Sequence, residues 1–159
     1  MSGGYRPLEE VLVRRILTVI TAVAMLVSLA ATVASASGGR ARLLLRKTSV
    51  GTILVNDRGF TLYAFSKDVR NKDNCAKISQ CLSLWPPVTT NGRPIAGRGV
   101  KASLIGTITL RHGVKQVTYA GHPLYTYRGD TSPGQTYYVN FFQFGGFWPA
   151  VNASGREVK

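Results

Sequence analysis

The sequence predicts an all-β fold: a small antiparallel domain of two internal repeats in a pseudo-twofold relation, set after an N-terminal hydrophobic helix. Three observations predict it. Short runs rich in β-branched and aromatic residues alternate with Gly, Asp, Asn and Pro turn signals. Beyond the first 36 residues no stretch carries a helical period of useful length. The chain also repeats its own words: "LYAFSKD" at residues 62–68 returns as "LYTYRGD" at 124–130.

The elements follow in order along 159 residues, a length that suits one domain. Arg6, Arg14 and Arg15 precede the apolar run "ILTVITAVAMLVSLAATVA", which ends at Ala34-Ser35-Ala36. A positive flank, an apolar core and an A-x-A site make residues 1–36 a secretory signal peptide. As a helix the run reaches about 28 Å, close to a bilayer core, so an uncleaved membrane anchor is the alternative. Residues 37–49 hold the densest basic stretch, "GGRARLLLRK", and are expected to be a basic linker able to rest on a membrane surface. Residues 50–159 are expected to form the β domain.

Within that domain "TILVN", the turn "DRG" and "FTLYAF" predict a hairpin with Asp57-Arg58-Gly59 at its tip. "GTITLR", "HG" and "KQVTYA" predict a second hairpin. "GHP" turns the chain into the strand "LYTYR". "YYVNFFQF" reads as an aromatic strand, and "FWPAV" follows a break at Gly145-Gly146. "VKASLIG" has room for one helical turn.

Three anchors define the repeats. Gly51-Thr52-Ile53 matches Gly106-Thr107-Ile108; Leu62-Tyr63-x-Phe65-x-x-Asp68 matches Leu124-Tyr125-x-Tyr127-x-x-Asp130; Trp85-Pro86-Pro87-Val88 matches Trp148-Pro149-Ala150-Val151. The tyrosines lie 62 residues apart and the tryptophans 63. The repeats are placed at about 51–88 and 106–151. On this alignment the second repeat carries an extra strand, "KQVTYAG", and the first carries the cysteine loop.

Residues 37–159 hold 17 Lys and Arg against five acids, a formal charge of about +12. Such a field attracts anionic envelope polymers or a membrane surface, and equally serves solubility. No basic block or motif points to a specific nucleic acid. Cys75 and Cys81 are an even count in an exported chain, which suggests a disulfide. Their C-x5-C spacing is not a C-x-x-C redox pair, and no second pair of soft ligands completes a zinc site.

Residues two apart on a strand share a face, so Tyr63 pairs with Phe65 and Tyr125 with Tyr127. Such rings pack a core with the hydroxyl reaching a rim partner, or form a stacking platform if exposed. Asp68 and Asp130 each enter a polar turn. They are expected to close an Asx-turn, to accept a hydrogen bond from a tyrosine of the other repeat, or to share a symmetric site. Trp85 and Trp148 each precede Pro, as at a strand end that seals a core edge. His112 and His122 lie in turns without a metal-pairing partner. No nucleophile elbow, phosphate loop or close acid pair is present. No cofactor is predicted and no catalytic residue is assigned.

"YAFSKD" and "YTYRGD" both satisfy Y-x-[FWY]-x-x-D, and "CLSLWPP", "QVTYAGHPLYTYRGD" and "FGGFWPAVNASG" accompany them. With these motifs the chain resembles, from about Gly51 to Gly155, the secreted-repeat proteins, many of them predicted bacterial lipoproteins. The resemblance implies a small extracytoplasmic β domain and brings no reaction. The chain departs from the family in two ways: no cysteine stands near the export signal to carry lipid, and its cysteine spacing exceeds the family's tighter pair. Three functional expectations stand: a non-enzymatic envelope module binding anionic polymers, a redox or cofactor-binding accessory protein, and a hydrolase with Asp68 and Asp130 at the repeat interface.

Overall fold

A computed structural model describes residues 39–159. The export segment expected at residues 1–36 lies outside the described residues. Among the described residues no helix is long and apolar enough to cross a membrane.

The first strand is one the sequence reading missed. Arg42–Thr48 (β1), expected as linker, pairs antiparallel with Gly51–Val55 (β2) over five residue pairs, Leu44–Val55 to Thr48–Gly51. It also pairs in parallel with Ile95–Ala96 (β3), so β1 is the central strand of its sheet. The reason lies in its two faces. Leu43 and Leu45 pack on the main core with Leu54, Leu62 and Val117, while Leu44 packs on a second cluster with Ile53 and Val55. A strand buried on both faces shows a run of apolar residues, not alternation, and its basic flanks then read as linker.

The second repeat opens the same way. Ile105–Thr109 (β4) pairs antiparallel with Lys115–Tyr119 (β5), the hairpin expected from the sequence, and β5 pairs with His122–Pro123 (β6). The chain after Lys101 makes one 3-10 turn, Ala102–Leu104.

These registers correct the first repeat anchor. Leu45 opposes Leu54 as Thr107 opposes Val117, and Arg46 opposes Ile53 as Ile108 opposes Gln116. The N–H of Leu62 bonds the carbonyl of Leu54, and the N–H of Leu124 that of Val117, each at 3.0 Å. So β1 corresponds to β4 and β2 to β5. The "KQVTYAG" strand is not an insertion, and Gly51-Thr52-Ile53 is not the partner of Gly106-Thr107-Ile108. The chance likeness of two Gly-Thr-Ile strings outweighed a strand pair with no shared letters.

The tip of the first predicted turn closes as expected. Asn56 Oδ1 accepts the N–H groups of Arg58 and Phe60, both at 3.0 Å, and Val55 bridges Thr61. Gly59 at φ +83° is required there: a Cβ would lie 2.9 Å from the Arg46 guanidinium and 3.1 Å from Pro133.

The aromatic strand predicted from Tyr137 begins later. Tyr137 to Asn140 form a turn, and Asn140 is left-handed at φ 62°. Phe141–Gln143 (β7) then pairs with Gly146–Trp148 (β8) across the left-handed residues Phe144 and Gly145. Ala150–Val151 (β9) and Glu157–Val158 (β10) close the domain. Cys75 and Cys81 form the expected disulfide, spanning a 3-10 turn, Cys75–Lys77, and reaching a one-turn helix, Cys81–Leu84 (α1).

Candidate functional site

The two motif segments meet at the centre. Tyr63 and Tyr125 exchange backbone N–H···O=C bonds, 2.9 Å each way. This reciprocal pair marks a pseudo-twofold axis. Around it each Trp segment pairs with the Tyr segment of the other repeat. Ala64 and Ser66 donate to the carbonyls of Pro149 and Phe147; Thr126 and Arg128 donate to those of Pro86 and Leu84. The four bonds fall between 2.9 and 3.0 Å. The strands "FTLYAF" and "LYTYR" are thus extended segments whose hydrogen bonds are split among several partners, not members of one ladder.

The motif rings form a single stack on the axis. Trp85 and Trp148 lie face to face, 3.9 Å apart and 5° from parallel. Phe65 stacks on Trp148 at 4.3 Å, and Tyr127 on Trp85 at 4.2 Å. Tyr63 and Tyr125 stand edge-on to the tryptophan of their own repeat, at 5.1 and 5.2 Å. Trp85, Trp148, Tyr63, Tyr125 and Phe65 are buried, and only Tyr127 is partly open. The rings are core, and the disulfide packs against them. Gln143 satisfies both indoles: Trp85 Nε1 donates to its side-chain oxygen at 2.7 Å and Trp148 Nε1 to its backbone oxygen at 3.2 Å.

Each motif aspartate receives the tyrosine of the other repeat. Tyr63 donates to Asp130 Oδ2 at 3.0 Å, and Tyr125 to Asp68 Oδ2 at 2.7 Å. Asp68 also accepts the N–H of Asn74 at 2.7 Å. Burial pushes both carboxyls up to about 6, against the hydrogen bonds that hold them down. Burial likewise raises both tyrosine hydroxyls, helped by the facing carboxylates. Asp73, which the sequence did not single out, adds a third inward carboxylate. Its Oδ1 caps Ala76 N–H at 2.7 Å and its charge lies beside Tyr125.

The two crossed pairs sit at different cavities. Asp68 lines one of about 210 Å³ with Phe65, Arg70, His122 and Glu157. Asp130 lines one of about 290 Å³ with Arg58, Phe60, Tyr127 and Arg128. No residue lines both, so the axis does not bring Asp68 and Asp130 into a common cavity. Among the described residues no three His, Cys, Asp or Glu side chains converge as a metal cluster. Nothing in the sequence singled out Arg58 or Arg128, because an arginine in a turn looks like any solvated charge.

A family model described as a secreted repeat of unknown function matches residues 45–89 and again residues 106–152. The chain belongs to this family. The matched segments start in β1 and β4, in keeping with the strand registers above. No curated protein and no solved structure matches the chain. As a secreted-repeat protein it fits an extracytoplasmic place, which its disulfide also suits.

Proposed function

We propose that this secreted-repeat protein is a non-enzymatic envelope module whose basic surface holds anionic polymers. One observation carries the reading. All 17 Lys and Arg of residues 39–159 are exposed, whereas Asp57 is the only exposed acidic side chain among the five. Asp73 and Asp130 are buried, and Asp68 and Glu157 are half-buried. Among the described residues no Lys or Arg is ion-paired; the one close pair is His122 Nδ1 with Glu157 Oε1 at 4.0 Å. A fold that turns its carboxylates inward and its cations outward leaves the positive field uncompensated.

The module's frame is spent on its own packing, so its working part is the surface it displays. Binding of the protein to long-chain polyphosphate and to neutral dextran, at low and moderate salt, tests this. Polyphosphate is expected to bind, with log K falling linearly against log salt as counterions are released. Equal binding to dextran, or no binding to polyphosphate, overturns the reading.

A further inference from the structure

No charged residue stands between Asp130 and Arg156, in a chain with 20 Lys and Arg. The matching route of the first repeat, residues 69–84, carries Arg70, Lys72, Asp73 and Lys77. The uncharged stretch also holds exposed rings: Tyr137, Phe141, Phe142 and Phe147, with Tyr137 82% and Phe142 58% open to solvent. Large apolar side chains so exposed and so close along the chain mark an interaction surface.

The hairpin that presents them is fixed to the core. Phe142 and Phe147 oppose each other in β7 and β8, and their rings meet at 5.0 Å. Phe141, on the other face of β7, stands edge-on to Tyr138 at 5.8 Å, and Tyr138 lies 4.3 Å from Tyr127 of the central stack. Gln143 in β7 holds both indoles. The Phe147 N–H donates to Ser66 Oγ at 2.8 Å, and its carbonyl accepts the Ser66 N–H at 2.9 Å. With its backbone held in this way, the hairpin keeps Phe142 and Phe147 outward.

Cations stand beside the stretch. Lys67 Cγ lies 2.9 Å from where a Cβ on Gly146 would be, and Arg46 Nε 2.6 Å from the same point on Gly134; both side chains are exposed. The acids next along the chain turn to the tyrosines: Asp68, beside Lys67, bonds Tyr125, and Asp130 bonds Tyr63. Uncharged aromatic surface rimmed by cations matches the boundary of an anionic bilayer. There the headgroups attract Lys and Arg, and the rings settle at the edge of the acyl region. A hydrophilic polymer leaves the rings in water, and a second copy brings the same cations against them. We infer that the β7–β8 hairpin docks the protein on an anionic lipid bilayer, with Phe142 and Phe147 entering the headgroup boundary and Lys67 and Arg46 meeting lipid phosphates. Such docking goes beyond the polyanion reading, since a polymer uses the cations alone and a bilayer uses cations and rings together.

The test places the full chain with nanodiscs of phosphatidylglycerol and phosphatidylcholine in equal parts, and with nanodiscs of phosphatidylcholine alone. Amide exchange, followed residue by residue, locates the contact whether or not the N-terminal apolar run enters the disc. Exchange over residues 141–147 is expected to be at least about fivefold slower on the anionic discs, while the turn at 111–114 changes less than about twofold. Phe142→Ser/Phe147→Ser and Lys67→Gln/Arg46→Gln are each expected to remove that difference. Val69→Ser/Val114→Ser, which removes exposed apolar side chains elsewhere, is expected to keep it. Equal exchange on both discs, or equal loss in the Val69/Val114 variant, overturns the inference. So does the same slowing produced by polyphosphate without lipid, or by raising the protein concentration, which would mark a polymer or a second copy as the occupant. The serine variant at Phe142 and Phe147 is expected to bind polyphosphate as the unaltered chain does. Polyphosphate binding that survives a failure on the discs leaves the broader reading standing. Disc contact at 141–147 without polyphosphate binding removes the broader reading and keeps the docking surface.

Discussion

The two repeats travel from the motif aspartate to the tryptophan by different routes. The first crosses residues 69–84 with a 3-10 turn, the Cys75–Cys81 disulfide and α1. The second crosses 131–147 with no covalent link. There Gln135 Oε1 accepts the N–H groups of Thr131 and Ser132, at 2.6 and 3.1 Å, and the β7–β8 hairpin returns the chain. Both routes deliver an indole to the same stack at nearly the same angle to its tyrosine. The axis packing therefore sets the frame, and the excursions are free to diverge.

The sharpest way to break the comparison is to remove each indole. Trp85→Ala and Trp148→Ala are each expected to cost about 3–5 kcal/mol, since both rings are fully buried. Urea unfolding should return similar losses for the two. A much smaller loss at one would show that the stack is not energetically symmetric.

Next comes the covalent difference. Replacing both cysteines with serine closes no loop in the unfolded chain and is expected to cost about 2 kcal/mol. Amide exchange should speed up over residues 69–84 and stay unchanged over 131–147. Equal acceleration in both routes would mean that the disulfide supports the whole domain.

The crossed tyrosines sharpen the comparison further. Tyr63→Phe leaves Asp130 without its one side-chain donor, whereas Tyr125→Phe leaves Asp68 the N–H of Asn74. Each loss is expected at about 1–2 kcal/mol, with Tyr63→Phe the larger. The reverse order in urea midpoints would mean that Asp73 loads the Tyr125 side more heavily than the hydrogen bonds show.

The last test is the pH dependence. Asp68 and Asp130 titrate at about 6 in the fold, above the unfolded value of about 3.9. The folded chain thus holds more protons between those values, and stability falls as pH rises through the folded pKa. The melting temperature is expected to rise as pH drops from above 6 toward 4. Asp68→Asn and Asp130→Asn should each flatten part of that slope. A melting temperature that falls over the same range would overturn the assignment of raised values.

Much of the centre was legible in the chain. Spacing paired Tyr63 with Phe65 and Tyr125 with Tyr127, the even cysteine count in an exported chain suggested the disulfide, and the repeated motif offered a cross-repeat Tyr–Asp bond as one role for each aspartate. These are local signals: a period of two, an even cysteine count, and a word written twice. The first strand was not legible, because a strand apolar on both faces loses its alternation and kept only its basic flanks. The repeat register was not legible either, since β2 and β5 share position without sharing letters.

The sequence by itself determined that this is an exported-type, all-β, two-repeat chain with an excess of positive charge. Only the tertiary structure decided which segments pair across the axis, that five of the six motif rings are core with Tyr127 at the edge, and that every acid but Asp57 turns at least partly inward. It alone placed Arg58 and Arg128, seventy residues apart in the chain, on one cavity. The physical reason is closure. Strand character is set by neighbours one and two residues away, whereas partners, burial and charge compensation are set by segments that meet only when both repeats have folded together.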